Sequence, residues 1–140
     1  MNIVIIGAPG SGKTWLASEL SAKLKLHHIE ADQIFWNGGD LRSEVQKLTS
    51  VDNWVFEGHI SKVSDVVLPK ADKVIVVEHP EFLSLVRSIK RDWRNFKKVY
   101  FNIQNYEKMR LRRDEIVSTL DDVIYWQSGS SIRPLLKKLS

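Results

Sequence analysis

The sequence predicts an α/β fold built on a parallel β-sheet, and three observations carry that expectation. Five short apolar runs alternate with stretches of helical patterning. The runs are mostly continuous rather than alternating, as in strands buried on both faces. The first run passes into Gly7-Ala8-Pro9-Gly10-Ser11-Gly12-Lys13-Thr14, which fills every fixed position of G-x-x-x-x-G-K-[ST] between a strand and a helix.

The elements follow in order. Asn2 to Ile6 is a β-branched strand ended by Gly7. Leu16, Leu20 and Leu24 recur every fourth residue with Ala17 beside them, which predicts a helix from about Lys13 to Lys25. Leu26 to Glu30 is a second strand, weakened by His27 and His28. Trp36 to Asp40 is loop chemistry, and Asp40 can cap a helix running to about Ser50. Trp54 to Glu57 is a third strand ended by Gly58, and Ser61 to Leu68 a short helix stopped before Pro69. Val74 to Val77 is a fourth strand ended by Glu78. Pro80 can open a helix that turns Phe82, Leu83, Leu85, Val86 and Ile89 inward. Residues 95–107 show no clear period, whereas 108–120 look helical. Val123 to Trp126 is the fifth strand, Ser128 to Ser130 a turn, and Ile132, Leu135, Leu136 and Leu139 mark a closing helix.

Length and composition limit what this chain can be. Its 140 residues, 43% hydrophobic and 27% charged, suit one domain over 1–140 and exclude collagen-like and wholly disordered readings. With no cysteine, disulfides, thiolate catalysis and Cys-based zinc sites are excluded. Neither a secretory signal nor a membrane-spanning apolar run is apparent, so a cytoplasmic setting is expected. The net charge of +4 is uneven: residues 87–113 hold ten basic and two acidic groups, a net of +8 against −4 for the remainder. That segment should lie near nucleotide phosphates, a nucleic acid or acidic side chains of the same fold.

The glycine-rich octapeptide carries the most specific chemistry. Gly7, Gly10 and Gly12, with Pro9 and Ser11 between them, let backbone N–H groups approach phosphate oxygens without a Cβ in the way. The helix that follows offers free N–H groups and its positive dipole end. Lys13 can reach the β- and γ-phosphates of ATP, and Thr14 can offer its hydroxyl to Mg²⁺. With no Asn-Lys-x-Asp guanine signature and only a short chain after the loop, a small-molecule kinase fits best.

These residues carry a family resemblance. The chain resembles the adenylate-kinase-like small P-loop kinases, most of all the compact DNA topology modulation kinases (FlaR-related). The resemblance spans nearly the whole chain. It rests on the phosphate loop, on Ile29-Glu30-Ala31-Asp32-Gln33-Ile34-Phe35-Trp36, on Trp54-Val55-Phe56-Glu57-Gly58, and on the pair Arg87 and Arg91. It implies the P-loop NTPase fold: a five-stranded parallel sheet in order 2-3-1-4-5, flanking helices, and a basic lid at about 91–113. Ligands of such sheets sit at the carboxyl ends of the strands, where Gly7, Asp32, Glu57 and Glu78 fall.

The resemblance also suggests roles. Glu57 would hold a water on Mg²⁺, a role for which Glu78 competes because it too ends an apolar strand. Asp32 would take the proton of an acceptor hydroxyl or orient it; the plain alternative is a helix-capping acid. Arg87 would stack on adenine, and Arg91, on the same helix face, would reach the phosphates. The arginine that similar monophosphate kinases carry near Phe35 is absent, and His59, Ile60, Ser61 and Lys62 stand where a second would follow the third strand. A hydroxyl acceptor is therefore expected over a phosphate. Phe35 and Trp36 could wall an acceptor base, and Gln127-Ser128-Gly129 could hold the adenine edge. The four histidines show no metal-ligand spacing, and His27 and His28 point to opposite faces of a strand.

The expected activity is ATP- and Mg²⁺-dependent transfer of the γ-phosphate to a nucleoside, nucleotide or other small hydroxyl acceptor. The alternative is a nucleic-acid-binding or end-modifying protein that grips a strand with residues 87–113, where Trp93, Phe96, Tyr100, Phe101 and Tyr106 interleave with the basic groups.

Overall fold

The computed structural model describes residues 1–58, 60–79 and 89–140. In chain order the elements are β1 (Asn2–Ile6), α1 (Lys13–Leu24), β2 (His27–Glu30), α2 (Ala31–Trp36), α3 (Leu41–Leu48), β3 (Trp54–Glu57), α4 (Ile60–Val67), a 3₁₀ turn (Leu68–Lys70), β4 (Lys73–Glu78), α5 (Phe96–Ser118), β5 (Val123–Gln127) and α6 (Arg133–Leu139). The strands form one parallel sheet in the order β2-β3-β1-β4-β5.

All five residues of β1 are buried. Strand geometry sends alternate side chains to opposite faces, so β1 supplies two cores. Val4 and Ile6 join Ile29, Trp54 and Phe56 beneath α3, α4 and Ile116 of α5. Ile3 and Ile5 join Val55, Ile75 and Trp126 beneath Leu16, Ala17 and Leu20 of α1 and Leu135 and Leu139 of α6. The same register levels the carboxyl ends: Ile5 pairs with Glu57, Glu57 with Glu30, and Glu78 with Gln127.

The local signals behave as chemistry dictates. The side chain of Asp40 accepts from the N–H of Ser43 and caps α3. Helix α1 begins straight from the glycine loop, and its C-cap, Lys25, adopts the left-handed conformation. Three expectations change. Residues 95–107 are not aperiodic chain but the first half of α5, a 23-residue helix capped by Asn95, whose side chain accepts from Lys98 N–H. The stretch after β2 turns at once into α2, so loop begins only at Asn37. Helix α4 kinks at Val63 (φ −134°) and runs into a 3₁₀ turn that absorbs Pro69. The helix expected from Pro80, apart from helical residues 89–92, lies outside the described residues. Among the described residues, no helix is long and apolar enough to cross a membrane.

Phe56 is fully buried at the centre of the first core. Phe56→Ala should cost about 3–5 kcal/mol, read as a lower urea midpoint at unchanged slope.

Candidate active site

The loop after β1 owes its shape to glycine at defined points. Gly10 (φ +76°) and Gly12 (φ +96°) are left-handed, the region L-residues avoid. A Cβ on Gly7 would stand 2.7 Å from Ser11 Oγ and 3.3 Å from Val77 Cβ, so the loop closes against β4 only with glycine there. Lys13, the first residue of α1, is buried and lines a cleft over the sheet's carboxyl edge, together with Gly7, Pro9, Asp32, Trp36 and Gly58. Helix α1 points its free N–H groups at the same place.

Thr14 Oγ1 donates to Glu57 Oε1 at 3.2 Å. Glu57 is 1% exposed, and its Oε2 has no hydrogen-bond partner among the described residues. Glu78 ends β4 exposed, and lines a separate cleft beneath α5 with Gly7, Ala8 and Tyr125. Of the two competing acids, Glu57 is therefore the one that meets Thr14. A hydroxyl and a carboxylate with an unused oxygen are hard oxygen donors, and they fit Mg²⁺.

Asp32 sits in the first turn of α2, where its charge suits the helix dipole. Gly58 (φ +90°) makes room for it: a Cβ there would lie 2.7 Å from Asp32 Oδ1 and 3.3 Å from its backbone N. Across the cleft stand Arg91, Asp92, Lys98 and Arg113. Arg91 donates from Nε and a terminal nitrogen to the two oxygens of Asp92, at 3.3 and 2.9 Å. Partial burial alone would pull the Arg91 guanidinium down. The hydrogen bonds to Asp92 and the charges of Asp92, Asp32 and Glu57 outweigh it and hold the group above its ordinary value. An arginine is protonated at any working pH, so the shift expresses attraction toward these carboxylates rather than a titration. Trp36 packs edge-on to Phe35, with Lys98 6.0 Å from the Trp36 ring and Lys62 5.0 Å from that of Phe35.

Among the described residues, the buried charged side chains are Lys13, Glu57, Asp92 and Arg113. Three line this cleft and Glu57 adjoins it through Thr14 and Gly58. Charges are rarely buried, so four around one cleft mark where the fold spends desolvation for function.

The sequence-expected residues Gly7, Pro9, Lys13, Asp32 and Arg91 meet at this cleft, and Thr14 meets Glu57 beside it. Gly10, Ser11 and Gly12 complete the loop. Arg87 and His59 lie outside the described residues. Trp15 is 53% exposed and stacks on Trp126 at 6.1 Å. With Gly12, Ser128 and Gly129 the two rings bound a shallow pocket at the far end of the loop. Asp92 and Gly58 join the site without a sequence motif that marks them. The signal for Asp92 was its position as one of only two acids in a strongly basic segment. Two further arginines of that segment pair within α5: Arg110 with Asp114 at 3.8 Å and Arg112 with Glu115 at 3.2 Å.

A glycine-shaped loop joining the central parallel strand to its helix, with lysine and threonine at the helix start and an acid from the neighbouring strand against them, defines a P-loop nucleotide-binding fold. Within that class the chain belongs to the AAA_18 family of AAA domains, which residues 3–115 match. It is similar to the shikimate kinase of Francisella tularensis subsp. holarctica, with 22% identity over 99% of this chain and 92% of that one. Shikimate kinase from Acinetobacter baumannii, solved in complex with shikimate, shares the fold at a TM-score of 0.68 and 21% identity, covering 99% of this chain and 89% of that one. A gluconokinase from Sinorhizobium meliloti does so at 0.54 and 14%, covering 98% and 87%.

Gly58 and Gly38 are both left-handed, but a Cβ on Gly38 (φ +79°) meets nothing within 4 Å. Gly38→Ala should therefore cost only backbone strain, about 1 kcal/mol. Gly58→Ala should cost measurably more and displace Asp32. Urea midpoints of the two variants check this, and equal losses would contradict the contact.

Proposed function

We propose that this protein is an ATP-dependent kinase that transfers the γ-phosphate to a hydroxyl of a small molecule. The observation that carries the reading is the placement of Asp32 and Lys13 on one cleft, with arginines on its far side. Lys13 and the loop amides hold the β- and γ-phosphates and offset the charge that develops during transfer. Thr14 and Glu57 would hold Mg²⁺, which supplies charge neutralisation on the phosphates when bound. Asp32 accepts the hydrogen bond of the acceptor hydroxyl and takes its proton as the new P–O bond forms and the bond from the γ-phosphorus to the β–γ bridging oxygen breaks, with ADP leaving. Arg91, oriented by its pairing to Asp92, and Arg113 face the phosphoryl group in flight. Residues 91–113 act as the lid that brings them there, and Arg87 stacks on the adenine.

A hydroxyl acceptor suits Asp32 better than a monophosphate. A carboxylate facing a phosphate is repelled by about 1 kcal/mol at 4 Å in water, and by more in a partly closed site. The relatives support this reading, since they bear the names of kinases for shikimate and gluconate. Trp36 and Ile60 give the cleft an apolar wall for the acceptor's carbon face. The FlaR-related resemblance adds nucleosides to the acceptors worth testing. ATP as donor sets the reaction in the cytoplasm. A nucleic-acid partner is less favoured, because several arginines of the basic segment are already paired to Asp92, Asp114 and Glu115.

Lys13→Ala should abolish nearly all transfer from labelled ATP while the circular-dichroism melt stays close to wild type; a folded variant with near wild-type turnover would end the kinase reading. Asp32→Asn should lower kcat about 10²-fold or more with little change in the KM for ATP. Acceptor pools of sugar acids, polyols, nucleosides and nucleoside monophosphates should show label on a hydroxyl compound. Strong transfer to a monophosphate alone would show the role given to Asp32 to be wrong.

A further inference from the structure

We propose that His28, Glu30 and Glu57 form a binding site for a divalent transition-metal ion of the zinc type, and that it fills without nucleotide. His28 and Glu30 are two apart on β2, so their side chains share one face of the sheet. Glu30 pairs in register with Glu57 on the parallel neighbour β3, which brings the second carboxylate to that face. Linear spacing hides this site, because its third ligand comes from another strand.

The separations suit an ion. His28 Nε2 lies 3.7 Å from Glu57 Oε1 and 3.9 Å from Glu30 Oε1, and one donor atom from each residue falls within 4.8 Å of the others. Nitrogen and oxygen ligands held about 2.1 Å from a tetrahedral zinc stand roughly 3.4 Å apart. The two histidine–carboxylate separations are a few tenths of an ångström longer than that, and a side-chain rotation that brings the two carboxylates together completes the site.

Two donor atoms are also unspent among the described residues: His28 Nε2 is buried without a hydrogen bond, and Glu57, 1% exposed, keeps Oε2 unpartnered while its Oε1 accepts from Thr14. Leaving a carboxylate oxygen buried and unpartnered is costly, and a cation removes the cost. The imidazole sets the class of ion: nitrogen ligation suits zinc and its neighbours, whereas Mg²⁺ and Ca²⁺ take oxygen. Glu30 and His28 are only partly buried, so one coordination position faces solvent and the ion can enter without unfolding.

Zn²⁺ titrated calorimetrically into the nucleotide-free full chain tests the site without any measurement of phosphoryl transfer, so it stands or falls apart from the kinase reading. Wild type should bind one Zn²⁺ per chain in the micromolar range or tighter, and Zn²⁺ should raise its melting temperature. His28→Gln and Glu30→Gln should each weaken binding by at least ~10-fold. His27→Gln, on the opposite face and exposed, should bind as wild type does. Melts without metal confirm that each variant folds. No saturable binding to wild type, or equal binding by wild type and both site variants, would overturn the proposal; His28 would then be only a packing neighbour of the two glutamates.

Discussion

Parallel pairing of β1 with β3 on one side and β4 on the other is the constraint on which the rest of this molecule depends. It buries β1 completely, which requires an unbroken run of β-branched side chains. It also brings the chain out of β1, β2 and β3 at one level on one edge. From there the glycine loop can turn only toward the start of α1. Thr14 then falls beside Glu57, and Asp32 falls beside Gly58. The site is the part of the sheet edge that helices leave uncovered.

Its electrostatics follow from the same arrangement. A parallel sheet edge ringed by helix N-termini is positive, and Lys13, Arg91 and Arg113 add to that. Glu57, Asp92 and Asp32 answer from within, so the buried charges of both signs lie next to one another rather than alone. Three arginines of the basic stretch are met by acids, Arg91 by Asp92, Arg110 by Asp114 and Arg112 by Glu115, and from Phe96 onward the stretch is wound into a helix that carries Arg113 to the cleft.

The phosphate loop, the five strands and the capped helix at Asp40 were legible because each is a local signal: β-branched runs, glycine positions, an Asx cap. The order of the strands and the role set came from resemblance. Residues 95–107 were not legible, because aromatic, amide and basic side chains blur the period that α5 nevertheless follows. Helix α2 is hidden in the sequence by the Asn-Gly-Gly that follows it, which extends the apparent loop back over Trp36. The contact of Gly58 with Asp32 and the gathering of His28, Glu30 and Glu57 are register effects. They join side chains on different strands, and no spacing along one strand encodes them.

The stacked pair Trp15 and Trp126 gives the molecule an optical property. One ring rides on the first turn of α1, two residues past the phosphate-loop lysine, and the other is the penultimate residue of the edge strand β5. Two indoles 6.1 Å apart and 17° from parallel are close enough for their electronic transitions to couple. An exciton couplet in the ultraviolet dichroism would thus report the distance between α1 and β5, at the helix end of the glycine loop, with no label attached.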